Sequence, residues 1–232
     1  MDPLPPYTAV VLAGGRAARL GGQAKPQLRV GGRTMLEAVL AAVDDAAARV
    51  VVGPPQTVPS DVVLLREVPP GGGPVAALRA GLADVATEVV AVLAGDLPFL
   101  TGPLIAELRA TLVDDGVFVV DDGNRDQYLL GAWRTAPLRE AVARATGPTS
   151  LRKVLAPLAV RRLRPDVGPG EPPPWLDCDT PADLARARAI ADGHLTPPAP
   201  PAATPPPPPS PPPAPPPASG ASLTPLFQEP TI

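Results

Sequence analysis

The stretch from residue 8 to residue 28 constrains the fold most, because it joins a short apolar run to a glycine loop and then to basic residues. The apolar run at 9–12 is continuous rather than alternating, which is typical of a strand covered on both faces in a parallel sheet. Glycine lets backbone N–H groups approach phosphate oxygens, and nearby cations offset the phosphate charge. Three cations follow the loop: Arg16, Arg19 and Lys25. We therefore predict a phosphate-binding loop here; a tight strand-to-helix turn without a ligand is the alternative.

Strands alternate with helices through most of the chain. Apolar patterns predict strands at 8–12, 49–52, 61–65, 88–93, 117–120, 129–133 and 159–163. Helical spacing of apolar residues predicts helices at 33–48, 75–85, 103–112, 138–145, 151–155 and 181–191. This alternation predicts an α/β fold of three layers (α/β/α, Rossmann-like) with a mostly parallel central sheet. Ligands of such sheets bind beyond the carboxyl ends of the strands.

Asp96 follows one of these predicted strands, at the same sheet edge as the glycine loop. A carboxylate beside phosphates requires a cation, and Mg²⁺ commonly takes one or two carboxylates together with phosphate oxygens. We therefore predict that Asp96 is a magnesium ligand, the alternative being a turn or N-cap aspartate before Pro98. Just before the helix predicted at 181–191, Asp177 and Asp179 are candidates to approach the metal, and Asp179 is the assigned ligand; the alternative is that this segment only caps the helix.

The chain changes character near its C-terminal end. Residues 1–193 are predicted to form one domain, and residues 194–232 a disordered tail that is rich in proline. Such a segment is expected to be extended in the polyproline II conformation. It would be a spacer or a ligand for a proline-binding partner, or else a solvated segment without a specific role.

Composition excludes several classes of function. A net charge of −3 argues against broad nucleic-acid binding. The single cysteine, Cys178, excludes an intrachain disulfide and a cysteine-based metal cluster, so a reducing, cytoplasmic location is expected. Apolar runs are too short for a membrane span, and no membrane partner is expected. Cys178 is predicted to be a small packed residue rather than a nucleophile, because the one histidine, His194, lies at the edge of the tail.

The segment LAGGRAARLGGQAK resembles the signature of nucleotidyltransferases of the molybdenum cofactor guanylyltransferase family. The matching positions are Leu12, Ala13, Gly14, Gly15, Arg19, Gly21 or Gly22, and Lys25. Leu20 replaces the usual methionine, which is a conservative change in packing. Ala24 replaces the usual aspartate before the lysine, so a carboxylate that would orient Lys25 is missing.

Further segments resemble the same family in the same order along the chain. They lie at 72–78, 95–99, 121–129, 147–152 and 177–184. The resemblance implies that Glu67 and Gly73 contact the base of GTP and that Asp96 binds Mg²⁺. A carboxylate can accept from both N1–H and the exocyclic amine of guanine, although Glu67 could equally be a solvated loop charge. Arg152 and Lys153 would hold the terminal phosphate of the acceptor, or else be a solvated helix start.

These observations predict a nucleotidyltransferase that acts on small molecules. Arg19, Lys25 and Asp96 would be catalytic, stabilising charge without a covalent intermediate. The resemblance implies GTP as the donor nucleotide and molybdopterin as the acceptor, with pyrophosphate released. One alternative is a cytidylyltransferase or another NTP transferase acting on a different phosphorylated small molecule. Another is a weakly active nucleotide-binding protein with an interaction tail, suggested by Ala24 and by the apolar loop at 53–55.

Overall fold

The computed structural model describes the backbone of residues 3–14, 19–20 and 23–197, and the side chains of residues 3–14 and 24–197. Gly15, Arg16 and the predicted proline-rich tail from residue 198 onward lie outside the described residues. For Arg19 only the backbone is described. The predictions of a disordered tail and of a tail partner therefore stay predictions.

Strands and helices alternate along the described chain. The strands are β1 (Tyr7–Leu12), β2 (Arg19–Leu20), β3 (Gln23–Ala24), β4 (Arg29–Val30), β5 (Arg33–Thr34), β6 (Ala48–Val52), β7 (Val62–Leu65), β8 (Val89–Ala94), β9 (Gly116–Val120), β10 (Asp126–Arg134) and β11 (Val160–Leu163). The helices are α1 (Met35–Ala41), α2 (Gly73–Leu82), α3 (Gly102–Thr111), α4 (Thr135–Arg144), α5 (Leu151–Leu155) and α6 (Pro181–Ala191). A short 3₁₀ turn spans Lys25–Gln27.

Seven strands form the central sheet, in the order β11-β9-β10-β8-β1-β6-β7. The strands β8, β1, β6 and β7 are parallel, whereas β10 runs antiparallel between β8 and β9. Helices α1 and α3 cover one face, and α2, α4 and α5 cover the other. The predicted three-layer fold with a mostly parallel sheet is thus confirmed.

Strand β1 shows why its apolar run is continuous. Ala9 and Val11 pack into the core on one face, and Val10 and Leu12 into the core on the other. Successive side chains of a strand point to opposite faces, so a strand covered on both sides needs an apolar residue at every position.

Helix α1 is shorter than predicted. Thr34 caps it through a capping box with Glu37, and the helix ends at Ala41 rather than at residue 48. The chain then turns back toward the sheet, and the Ala47 N–H donates to the Tyr7 carbonyl at 2.9 Å. The helical spacing of apolar residues extends to Val43, which is buried as expected. The helix nevertheless ends at Ala41, because the chain that follows it bonds to β1.

A third apolar cluster joins α6 to the segment around β4. It contains Leu28, Val30, Met35, Cys178, Leu184 and Ala187. Cys178 is fully buried there, as predicted for a packed residue, and burial raises the pKa of its thiol to about 12. None of the helices in the described part of the chain has the length and apolar character needed to cross a bilayer.

Candidate active site

The loops after β1 and β8 leave the sheet side by side at its carboxyl edge. Leu12 lies opposite Ala94 in the register of these two strands. The Gly95 N–H donates to the Leu12 carbonyl at 3.0 Å, and a Cβ on Gly95 would lie 3.1 Å from Ala13 Cα. Glycine at position 95 therefore allows the phosphate loop and the Asp96 loop to touch. The prediction that these two loops share one edge is correct.

Lys25 lies between two carboxylates at this edge. Its Nζ is 2.7 Å from Asp96 Oδ2 and 2.5 Å from Asp179 Oδ1. The Lys25 side chain is 7% exposed, whereas Asp179 is 67% exposed. Burial by itself lowers the pKa of Lys25, but the hydrogen bonds to Asp179 and Asp96 outweigh it, so the pKa is raised. Lys25 is therefore cationic at neutral pH.

This pairing compensates for the residue that departs from the family signature. Ala24 offers no carboxylate, yet Lys25 is oriented by two aspartates from distant segments of the chain. The 3₁₀ turn at Lys25–Gln27 places the lysine, with Pro26 in its first turn, and both residues are buried. A preceding aspartate is therefore not needed to hold the ammonium group in place.

A third carboxylate, Asp177, lies near this pair. Its pKa is raised, first by burial and then by the negative charges of Asp179 and Asp96. Oxygen ligands suit Mg²⁺, and Asp96 and Asp179 already enclose a cation, the Lys25 ammonium group. Among the described residues no group of three or more His, Cys, Asp or Glu side chains is arranged as a metal site. An ion bound by Asp96 and Asp179 would therefore have to take its remaining ligands from a substrate and water.

A cavity of about 400 Å³ opens beside Lys25. Its walls include the glycine loop and the paired side chains, namely Leu12, Ala13, Gly14, Lys25, Asp96 and Asp179. They also include Glu67, Gly71, which lies just before α2, and Gly73, the first residue of α2. These two glycines have φ values of +78° and +82°, which suit glycine. Glu67 Oε1 accepts from the Gly71 N–H at 2.9 Å, which holds the carboxylate against this loop.

A second cavity, of about 340 Å³, adjoins the first. Asp96 and Asp179 line both cavities, and so do Ala94 and Leu129. The residues of the second cavity that the first does not share include Gln127, Tyr128, Leu151 and Asp177. Two cavities that meet at one pair of carboxylates can hold two substrates with their reacting groups together.

The structure brings together most of the residues predicted from the sequence, but not the two acceptor candidates. Lys153 lines a separate groove of about 290 Å³ that shares no residue with either cavity. Arg152 is absent from the walls of both cavities, although its charge acts on the hydroxyl of Tyr128. Their role stays a prediction, as does that of Arg19. Leu129 lines both cavities but was not predicted as a site residue, because its position depends on an irregularity in β10 that no residue pattern indicates.

The fold and the site define a nucleotidyltransferase: a parallel sheet presents a glycine loop, a buried lysine and paired carboxylates between two cavities. Residues 9–164 match the MobA-like NTP transferase domain, and the chain belongs to that family. Over 201 residues it is 32% identical to the molybdenum cofactor guanylyltransferase of Nitrobacter hamburgensis, with 81% of this chain and 96% of that protein covered.

Solved structures share the fold. The molybdopterin-guanine dinucleotide biosynthesis protein A of Archaeoglobus fulgidus has a TM-score of 0.63 and 20% identity, with 80% of this chain and 99% of that chain covered. The 2-C-methyl-D-erythritol 4-phosphate cytidylyltransferase of Thermus thermophilus has a TM-score of 0.60 and 22% identity, with 79% and 98% covered. A molybdopterin-guanine dinucleotide biosynthesis protein and a cytidylyltransferase therefore share this architecture, so the fold alone does not determine which base is bound.

Proposed function

We propose that the chain transfers GMP from GTP to the terminal phosphate of molybdopterin and releases pyrophosphate. The observation that carries this proposal is the position of Lys25, held between Asp96 and Asp179 where two cavities meet. The curated relatives are named as molybdenum cofactor guanylyltransferases, which supports GTP as donor and molybdopterin as acceptor.

The donor nucleotide would occupy the first cavity. The backbone around Gly14 and the ammonium group of Lys25 would contact the triphosphate, with Arg19 as a further cation. Glu67, in the wall of the same cavity, would accept hydrogen bonds from the guanine edge. One of its oxygens already accepts from Gly71, but each carboxylate oxygen has two lone pairs, so the group keeps acceptor capacity.

The acceptor would occupy the second cavity and approach the α-phosphorus from there. An oxygen of its phosphate forms the new bond to phosphorus while the bond to pyrophosphate breaks, so a side-chain nucleophile is not required. Lys25 is cationic throughout and stabilises the charge that develops on the phosphate oxygens. Holding both reactants across one carboxylate pair makes the attack effectively unimolecular.

Asp96 and Asp179 would hold Mg²⁺ against the nucleotide phosphates. When bound, the ion would neutralise phosphate charge and align the oxygens, which is its usual contribution to phosphoryl and nucleotidyl transfer. Because Lys25 contacts both aspartates, the lysine and the ion would share these carboxylates.

Pyrophosphate release tests the proposal. The purified chain is incubated with Mg²⁺ and molybdopterin, and GTP, CTP and ATP are supplied in separate reactions. We expect turnover with GTP in clear excess over the other two. Turnover that favours CTP would contradict the guanylyl assignment, and absence of turnover with every nucleotide would contradict the proposed transfer. A cytoplasmic location and a proline-binding partner for the tail remain predictions alongside this function.

A further inference from the structure

Strand β10 leaves its pairing with β9 beside the second cavity. Gln127 lies opposite Val119, but the next residue of β9, Phe118, lies opposite Gly131. Three residues of β10, Tyr128–Leu130, thus have no counterpart on β9, and all three line the second cavity. Bulges of this kind re-aim side chains next to active sites.

An aromatic contact and a hydrogen bond fix the side chain of Tyr128. It packs edge-on against Phe118, with ring centroids 5.0 Å apart and an interplanar angle of 63°. Its hydroxyl donates to Asp126 Oδ2 at 2.9 Å. A half-buried aromatic ring fixed in this way gives the cavity a rigid, flat wall.

Arg162 binds Asp126, the residue that accepts the hydrogen bond from Tyr128. It lies on the edge strand β11, which pairs with β9, and its guanidinium reaches past the end of β9 to the start of β10. Its Nε and Nη2 are both 2.8 Å from Asp126 Oδ1. Its Nη2 also donates to Asn124 Oδ1 at 3.1 Å, in the turn before β10. A planar guanidinium that binds two groups at once fixes their relative position, which a lysine cannot do.

We propose that Tyr128 contacts the acceptor and selects a flat, nitrogen-rich ring that carries a phosphate, and that Arg162 positions Tyr128 through Asp126. The inference rests on the proposed function, because it names the residue that would recognise the pterin ring of the acceptor. Stacking of a heterocycle on an aromatic side chain suits a wall that is apolar on its face and hydrogen-bonded at its rim.

Binding of a fluorescent pterin tests the contact without turnover. Pterin-6-carboxylate is titrated with the wild-type chain, Tyr128→Ala and Tyr128→Phe, and quenching of its fluorescence is followed. Loss of the ring in Tyr128→Ala is expected to weaken binding about tenfold, as for a base that loses its stacking partner. Tyr128→Phe keeps the ring and is expected to bind within about threefold of wild type. Equal binding by the wild type and Tyr128→Ala would overturn the inference.

The positioning role is tested by steady-state kinetics on Arg162→Gln. Arg161→Gln is the matched control, since Arg161 lies on the same strand, pairs with Asp114 at 3.3 Å and is 50% exposed against 48% for Arg162. We expect Arg162→Gln to raise KM for molybdopterin about threefold to tenfold, with KM for GTP and kcat unchanged. Arg162→Lys should recover part of this loss, and Arg161→Gln should change neither KM.

Equal effects of the Arg161 and Arg162 substitutions would overturn the positioning role, because a general loss at the sheet edge would then explain both.

The proposed function and the role of Tyr128 can be contradicted independently of each other. Absence of molybdopterin turnover in the wild-type chain would contradict the proposed function, whereas the pterin titration of wild type against Tyr128→Ala decides the contact by itself.

Discussion

Lys25 connects parts of the chain that lie far apart in sequence. Its partner Asp179 is 154 residues away, and the two groups are nevertheless in direct contact. Lys25 is buried but Asp179 is largely exposed, so solvent screens the Lys25–Asp179 contact and limits its contribution to stability. Removing the lysine would leave Asp96 and Asp179 without the cation that both of them contact.

Replacing Lys25 by methionine is expected to lower kcat about 100-fold to 1000-fold, because it removes a preorganised cation from the reacting phosphates. Asp96→Asn should cost at least as much, since Asp96 is only 19% exposed and lines both cavities. Kinetics of pyrophosphate release check both variants. Asp61→Asn is the control, because Asp61 also pairs with a basic residue, Arg49, but lies away from both cavities. Near-normal turnover of Lys25→Met would show that the site is misplaced.

The pairing of Lys25 also predicts a pH dependence of stability. Although burial lowers the pKa of Lys25, its hydrogen bonds to Asp179 and Asp96 raise it above the ordinary value of 10.5. The stabilisation from this charge is therefore complete below that ordinary value and is lost as pH rises through the folded-state pKa. Urea unfolding of wild type and Lys25→Met should give a constant difference in free energy from about pH 7 to about pH 10, and a smaller one above. A difference that already shrinks near neutral pH would contradict this assignment.

At the scale of elements, the N-terminal end of α6 fixes the position of Asp179. Thr180 caps this helix through a capping box with Asp183, and Asp179 is the residue just before the cap. The buried face of α6, including Leu184 and Ala187, packs beside Cys178. The end of α6 that faces the site is thus fixed both by hydrogen bonds and by apolar packing.

Thr180→Ala is expected to destabilise the fold by about 1 kcal/mol, the usual cost of a lost N-cap. Turnover should also fall, because the cap orients the segment that bears Asp179. Thr34→Ala is the matched control, since Thr34 caps α1 through the same kind of capping box. It should cost similar stability in urea unfolding while leaving kcat nearly unchanged. Equal losses of turnover in both variants would mean that the α6 cap has no special link to the site.

Elements differ in how far their sequence determined them. Helix α6 was predicted at its observed bounds, because its N-cap pattern is local and its apolar face is periodic. The two-residue strands β2 to β5 were not predicted, since so short a segment carries no periodicity. The bulge in β10 was missed for a different reason: it depends on how β9 and β8 pair with the two edges of one strand.

At the scale of the whole molecule, the sequence predicted the part of the site that the geometry of a parallel sheet determines. The glycine loop and Asp96 could be placed together because parallel strands end at one edge. The contact of Asp179 with Lys25 was not predicted, because no local pattern links residues so distant in sequence; Asp179 was assigned only as a metal ligand. The resemblance covered Asp126 and Tyr128 in the segment 121–129, but their network with Arg162 was not predicted, since it joins β10 and β11, two strands that topology places on either side of β9.

Within the described part of the chain, the walls of both cavities are formed by residues from Leu12 to Asp179. Deleting residues 198–232 is therefore expected to leave kcat, both KM values and the thermal midpoint unchanged, since a proline-rich segment adds no apolar core. A chain ending at residue 176 is the control. It lacks Asp179, Leu184 and Ala187, and should lose both turnover and cooperative unfolding. A large loss of turnover in the 1–197 chain would instead mean that the tail contributes directly to substrate binding.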